Sequence, residues 1–127
     1  MDLGVESLKG KVVLLYFIYA GCLPCRKSLP GLTELHECYQ GRGFAVLSLC
    51  TAWGDKGLDD LVDELKVRHP VAVLDDGAEE TYQIKAYPTY VLIDGNGVVR
   101  WVGEGLWNES PGGEIEKWLT TGSANGQ

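Results

Sequence analysis

Residues 12 to 19, Val-Val-Leu-Leu-Tyr-Phe-Ile-Tyr, form an unbroken β-branched and aromatic run. A strand that keeps one face in water alternates apolar with polar residues. This run is apolar on both faces, so it must be buried on both. A central sheet strand with helices on either side supplies that burial. The longest apolar stretch, Val12 to Cys22, is about half of what a membrane helix needs, so the run is read as a core strand of an α/β protein.

The rest of the chain fits around that strand. Gly10 marks its start, and Ala20-Gly21-Cys22-Leu23-Pro24-Cys25 is a tight strand-to-helix turn. Pro24 suits a first helical turn, where its missing N–H is not needed. The helix is expected to run to about Tyr39, with Leu29, Leu32, Leu35 and Cys38 as its apolar face and a kink at Pro30. Gly41 and Gly43 end it. Phe44 to Cys50 reads as a second strand, and Leu58, Leu61, Val62 and Leu65 have helical spacing. Val71 to Leu74 is a short strand, and Ala78 to Ile84 a short helix with Asp76 as its candidate cap. Thr89 to Ile93 and Val98 to Val102 flank Asp94-Gly95-Asn96-Gly97, a hairpin signal. Ile115, Trp118 and Leu119 suggest a last helix. The order β-α-β-α-β-α-β-β-α predicts a mixed sheet, parallel early and closed by an antiparallel C-terminal hairpin.

At 127 residues the chain is expected to be one domain, with its core over about 5–119 and a polar, fraying tail over 120–127. Eighteen acids against 11 Lys and Arg give a net charge of −7, which leaves no footprint for nucleic acid or an anionic membrane. Met1 to Glu6 has neither the basic nor the apolar region of a secretory signal. Either the protein is cytoplasmic, or its targeting segment lies outside this sequence.

Four cysteines, Cys22, Cys25, Cys38 and Cys50, are too few for a disulfide framework of this length. Cys22 and Cys25 stand where a buried strand opens into a helix. Free N–H groups and the positive end of the helix dipole favour a thiolate there. A depressed pKa would make Cys22, expected to be the more exposed of the two, a nucleophile near neutral pH. Cys25, one turn further in, could reach its sulfur and resolve a mixed disulfide. A zinc knuckle is the competing reading, but a zinc site needs a second closely spaced pair. Cys38 and Cys50 are twelve residues apart, so no metal is expected, and both are read as small buried hydrophobes. His36 is expected on an exposed helix face and His69 in a loop before Pro70. Trp53, Trp101, Trp107 and Trp118 are assigned mainly to the core, with a substrate groove as the alternative. Asn108-Glu109-Ser110 matches a glycosylation sequon, read as a chance match. Tyr87-Pro88-Thr89, before the hairpin, reads by itself as an ordinary strand-starting proline.

Lys9-Gly10-Lys11 through Phe17, followed by Cys22-Leu23-Pro24-Cys25-Arg26-Lys27-Ser28-Leu29-Pro30, resembles the opening of thioredoxin-fold proteins of the TlpA/ResA type. Gly43-Phe44-Ala45-Val46-Leu47 is similar to their second strand. Tyr87-Pro88-Thr89-Tyr90-Val91-Leu92-Ile93-Asp94-Gly95-Asn96-Gly97 is similar to their late segment, with Gly103 as the late glycine. The resemblance implies a thioredoxin-like fold, with helices on both faces of a mixed sheet. It implies a thiol–disulfide oxidoreductase that reduces protein disulfides outside the cytoplasm and serves redox homeostasis, in some relatives cytochrome c maturation. It implies Cys22 as nucleophile and Cys25 as resolving thiol, with Pro88 in cis against the redox turn. The Tyr87 backbone would pair with a substrate strand, with Leu23 and Pro24 also facing substrate. The redox-active disulfide stands in place of a cofactor, and an upstream partner donates electrons. The protein is expected to act as a monomer.

The sequence also departs from that family. Gly21 and Ile18 stand where tryptophans are usual, Ser28 where ResA-type proteins have glutamate, and Tyr16 where thioredoxin has a buried aspartate. The proton acceptor for Cys25 therefore has no evident counterpart. Two other readings stay open: a thioredoxin-fold binding module without catalysis, and a cytoplasmic thioredoxin-like reductant.

Overall fold

The computed structural model describes residue 8, residues 10–108 and residues 112–125. The start of the expected core at residue 5, the Met1 to Glu6 segment and most of the sequon lie outside the described residues.

Five strands form one sheet in the order β3-β2-β1-β4-β5. β1 is Val12–Ile18, β2 Phe44–Cys50, β3 Val71–Val73, β4 Thr89–Ile93 and β5 Val99–Glu104. β1 runs parallel to β2, and β2 parallel to β3. β4 pairs antiparallel with β1 and with β5. The doubly apolar run is the middle strand, with a neighbour on each edge. Among the described residues the helices with defined bounds are α1 Leu23–Tyr39, α2 Leu58–Glu64, α3 Ala78–Thr81 and α4 Gly112–Asn125.

Side chains alternate across β1. Val12, Leu14, Tyr16 and Ile18 join Leu29 and Leu32 of α1, Leu58 and Leu61 of α2, and Ile115 and Leu119 of α4 in the main core. On the other face Phe17 packs against Tyr82, the residue that ends α3, with ring centroids 5.7 Å apart. Further along that face a cavity of about 440 Å³ is lined by Val13, Leu15, Leu47 and Ile93.

The hairpin forms where Asp94-Gly95-Asn96-Gly97 predicts it. Asp94 Oδ1 accepts the Asn96 and Val98 N–H groups at 2.9 and 3.1 Å, and Oδ2 accepts from Arg100 Nε at 2.7 Å. Gly97 takes the left-handed φ of 83° that the turn needs. Those hydrogen bonds, the Val98 backbone foremost, hold the Asp94 carboxyl below the usual carboxylate range.

α1 runs to Tyr39 with Pro30 inside it, as expected, and continues as a 3-10 turn over Gln40–Arg42. Several other local expectations are corrected. α3 is shorter than the expected Ala78 to Ile84, and its cap is Gly77, with no side-chain bond from Asp76. α4 carries the expected tail through Asn125 as helix. Cys38, expected in the apolar face of α1, is exposed. Three residues turn a helix by about 300°, so a stripe spaced strictly by three drifts about 60° per step. Three such steps carry Cys38 to the side opposite Leu29, away from the core.

Candidate functional site: a helix-capping disulfide with an aromatic flank

Cys22 and Cys25 are joined in a disulfide, with Cα atoms 5.2 Å apart. Cys22 is the N-cap of α1, in extended conformation, and its Sγ accepts the Cys25 N–H at 3.2 Å. Leu23 and Pro24 fill the first two helical positions, so the proline sits where no N–H is required. The first turn of α1 contains no acidic residue, which leaves the positive end of its dipole unopposed at the sulfur. The expected contrast in exposure is nearly absent: Cys22 is 2% exposed and Cys25 is fully buried. The residues that reach solvent are their neighbours Gly21, Leu23 and Pro24.

Tyr87–Pro88 is a cis peptide bond. Pro88 is buried, and Tyr87 half-buried. β4 begins at Thr89, which pairs with Phe17. That register brings Tyr87 and Pro88 to the end of the sheet where β1 leads into the redox turn. The Tyr87 ring meets Tyr19, three residues before Cys22, edge-on at 5.4 Å. Burial first, and then the charge of Glu79, hold the Tyr87 hydroxyl above its ordinary pKa, so it stays protonated.

Tyr16 and Ser28, the departures at the two carboxylate positions, belong to one buried network. The Tyr16 hydroxyl donates to the Cys25 carbonyl at 2.8 Å. Its ring stacks on Tyr90 at 5.0 Å, and the Tyr90 hydroxyl donates to the Gly105 carbonyl at 2.8 Å. Ser28 Oγ accepts the Trp107 N–H at 2.9 Å, and the Trp107 ring lies 5.4 Å from that of Tyr90. Burial raises the Tyr16 pKa above its usual value. Neutral hydroxyls and backbone groups thus anchor the inner side of the turn. Trp107, assigned from sequence mainly to the core, and Tyr90, quoted only as part of the late family-like segment, thus support the redox turn, a role that the sequence reading did not give them. Their spacing from Cys25 carries no local signal.

The loop after β2 clamps the outer side. Ala20 N–H donates to the Gly54 carbonyl at 2.8 Å, and Thr51 N–H to the Ile18 carbonyl at 3.0 Å. Gly54 is needed for this approach: a Cβ there would collide with Tyr19 Cβ and come within 2.7 Å of Thr51 Oγ1. The clamp sets Trp53, 58% exposed, beside Tyr19 at 5.2 Å and Tyr87 at 6.1 Å. Of the four tryptophans, Trp101, Trp107 and Trp118 are partly buried against the core. Cys50 lies under the same loop, fully buried, its thiol 3.6 Å from the Gly54 carbonyl. Burial pushes its pKa up to about 11, with Asp55 adding to the shift.

His36 is less exposed than expected, and His69 lies in the loop before Pro70, as expected, but is buried there. His36 is half-buried, and its Nδ1 accepts the Val46 N–H at 3.1 Å. His69 is buried between Thr33 Oγ1 at 2.9 Å and Ser48 Oγ at 2.7 Å, tying α1 to β2. Burial lowers its pKa to about 4. Among the described residues no group of three or more His, Cys, Asp or Glu side chains is placed to hold a metal ion. No described helix is long and apolar enough to cross a membrane.

A family profile described as Redoxin matches residues 2–114. Thiol-disulfide oxidoreductase ResA of Bacillus thuringiensis subsp. konkukian is 34% identical over 97 residues, covering 75% of this chain and 56% of the relative. The chain therefore spans just over half the length of that relative. The solved thioredoxin domain of a thiol-disulfide oxidoreductase from Bacteroides vulgatus superposes with a TM-score of 0.80 at 25% identity, over 91% of this chain and 84% of that one. A thiol-disulfide isomerase from Corynebacterium glutamicum gives a TM-score of 0.80 at 23% identity, over 92% and 86% of the two chains. The fold is thioredoxin-like.

Proposed function

The chain belongs to the redoxin family, and from that premise we propose that it is a thiol–disulfide oxidoreductase that reduces disulfides in protein substrates through Cys22 and Cys25. The observation that carries the reading is the disulfide capping the N-terminus of α1, with the Cys25 N–H directed at Cys22 Sγ. The ResA name of a relative supports the same reaction class.

In the reduced protein that N–H and the helix dipole stabilise a Cys22 thiolate. The thiolate attacks one sulfur of a substrate disulfide, forming a mixed disulfide and expelling the other sulfur as a thiolate. Cys25, deprotonated, then attacks Cys22 Sγ. The mixed disulfide breaks, the second substrate sulfur leaves as a thiolate, and Cys22–Cys25 forms. Two electrons pass to the substrate, and the described structure corresponds to the oxidised end of this cycle. The buried Cys25 hands its proton to the departing thiolate or to solvent, since its neighbours Tyr16 and Ser28 are neutral. Leu23, Pro24 and the Tyr87 backbone form the surface on which a substrate strand lies, beside Pro88.

The reading includes an upstream electron donor that restores the dithiol, action as a monomer, and an extracytoplasmic location, with cytochrome c maturation among the candidate settings. Insulin reduction by the dithiothreitol-reduced protein tests the activity, and mass-mapped trapping tests the roles. Cys25→Ser should accumulate mixed disulfides through Cys22, and Cys22→Ser should accumulate none. Equal trapping by both variants would overturn the assignment. A folded parent that leaves insulin unreduced would favour a binding module without catalysis.

A further inference from the structure

Beside the redox turn lies a feature that disulfide exchange itself does not use. Tyr19, Trp53 and Tyr87 pack as three mutually touching rings, with centroids 5.2 to 6.1 Å apart. They come from three separate segments: the residue after β1, the clamp loop and the residue before Pro88. A cluster that served only the core would be covered, yet Trp53 is 58% exposed. Its indole N–H donates to Glu79 Oε2 at 3.1 Å. The other carboxylate oxygen, Glu79 Oε1, is buried and has no hydrogen-bond partner among the described residues.

A shielded carboxylate oxygen without a donor is costly, and a donor brought by a ligand would remove that cost. The chemistry around it selects the donor. Aromatic faces carry negative potential and attract cations. Residues 53–56 and 75–87 carry Asp55, Asp75, Asp76, Glu79 and Glu80 against Lys56 and Lys85, an acidic excess. The chain as a whole has a net charge of −7. An anionic or purely apolar ligand would leave Glu79 Oε1 unpaired.

We propose that the Tyr19–Trp53–Tyr87 surface and Glu79 form a specificity subsite for a basic side chain, lysine or arginine, flanking the reactive cysteine of a substrate protein. The inference rests on the thiol–disulfide reading above and names the substrate class that the site prefers. The stem of the basic side chain lies along the Trp53 ring, and its N–H groups pair with the carboxylate of the half-buried Glu79, which turns to bring Oε1 to them.

The test uses the reduced full chain and peptides whose single cysteine is in mixed disulfide with thionitrobenzoate. The peptides differ only in the residue two places from the cysteine: Lys, Arg, Ala or Glu. Attack by Cys22 on the peptide sulfur releases coloured thionitrobenzoate, and Cys25 then releases the peptide thiol. The readout is the ratio of second-order rate constants within each protein variant, so overall differences between variants cancel. Lys or Arg peptides should react about fivefold faster than the Ala peptide, and the Glu peptide slower than all. That preference should shrink as salt is raised. Glu79→Gln and, separately, Trp53→Leu should bring the ratio of Lys to Ala close to one. A ratio near one in the parent, or an unchanged ratio in both variants, would overturn the subsite. So would a preference for the Glu or Ala peptide. If no peptide releases thionitrobenzoate, the thiol–disulfide reading itself fails, which is a separate outcome.

Discussion

Lowering the pH below neutrality should destabilise this protein well before its carboxylates titrate, and His69 is the reason. Its ring is buried between the hydroxyls of Thr33 and Ser48. Burial lowers its pKa from 6.5 to about 4. The unfolded chain therefore binds this proton first as the pH falls. The group's contribution to stability is fully present above the unfolded value and is lost between pH 6.5 and about 4. Linkage with these two values gives a loss of about 2 kcal/mol at pH 5 and about 3 kcal/mol at pH 4. His36, also lowered chiefly by burial, acts in the same direction. The depressed carboxyls of Asp94, Glu37 and Glu116 act too, but only from the usual carboxylate range downward. Urea unfolding of the disulfide-bonded protein between pH 7.5 and 4 measures the effect. With m of about 2 kcal/mol/M, the midpoint should fall by about 1 M at pH 5. His69→Gln removes the titration while keeping a donor and an acceptor. It should be less stable than the parent at pH 7.5, with a flatter dependence on pH down to 5. A parent whose midpoint is constant from pH 7 to 5, or a variant as steep as the parent, would refute the reasoning.

Two further outcomes follow from the geometry. Gly54→Ala should cost about 2 kcal/mol by overpacking against Tyr19 and Thr51, seen as a lower urea midpoint, and should slow insulin reduction because the clamp on the redox turn shifts. Cys38→Ala should leave stability within about 0.5 kcal/mol, as an exposed site should, whereas Cys50→Ala should lose about 1–2 kcal/mol through lost packing. The double variant should still reduce insulin at near the parental rate, and a folded but inactive double variant would reveal a second working dithiol.

What the sequence determined by itself is what depends on neighbours along the chain. Val12 to Ile18 had to be a covered strand because the run is apolar on both faces. Asp94-Gly95-Asn96-Gly97 had to turn because its side chain and its glycines satisfy that backbone locally. The spacing of Cys22 and Cys25 at a strand-to-helix junction set both the disulfide and its place at the N-terminus of α1. Tertiary structure decided the rest, because burial is a property of what other segments bring. Cys38 looked apolar-facing from its spacing and is exposed, since only the position of the core tells which side of α1 is inside. His69 looked like a loop residue and is buried, because Thr33, 36 residues earlier, and Ser48, 21 residues earlier, close over it. Tyr16 and Ser28 read as missing carboxylates, and only the folded chain shows them joined with Tyr90 and Trp107 as the neutral support under Cys25. Tyr19, Trp53, Glu79 and Tyr87 lie on four segments with no common motif. The sheet order and the tight approach at Gly54 bring them to one surface beside the disulfide.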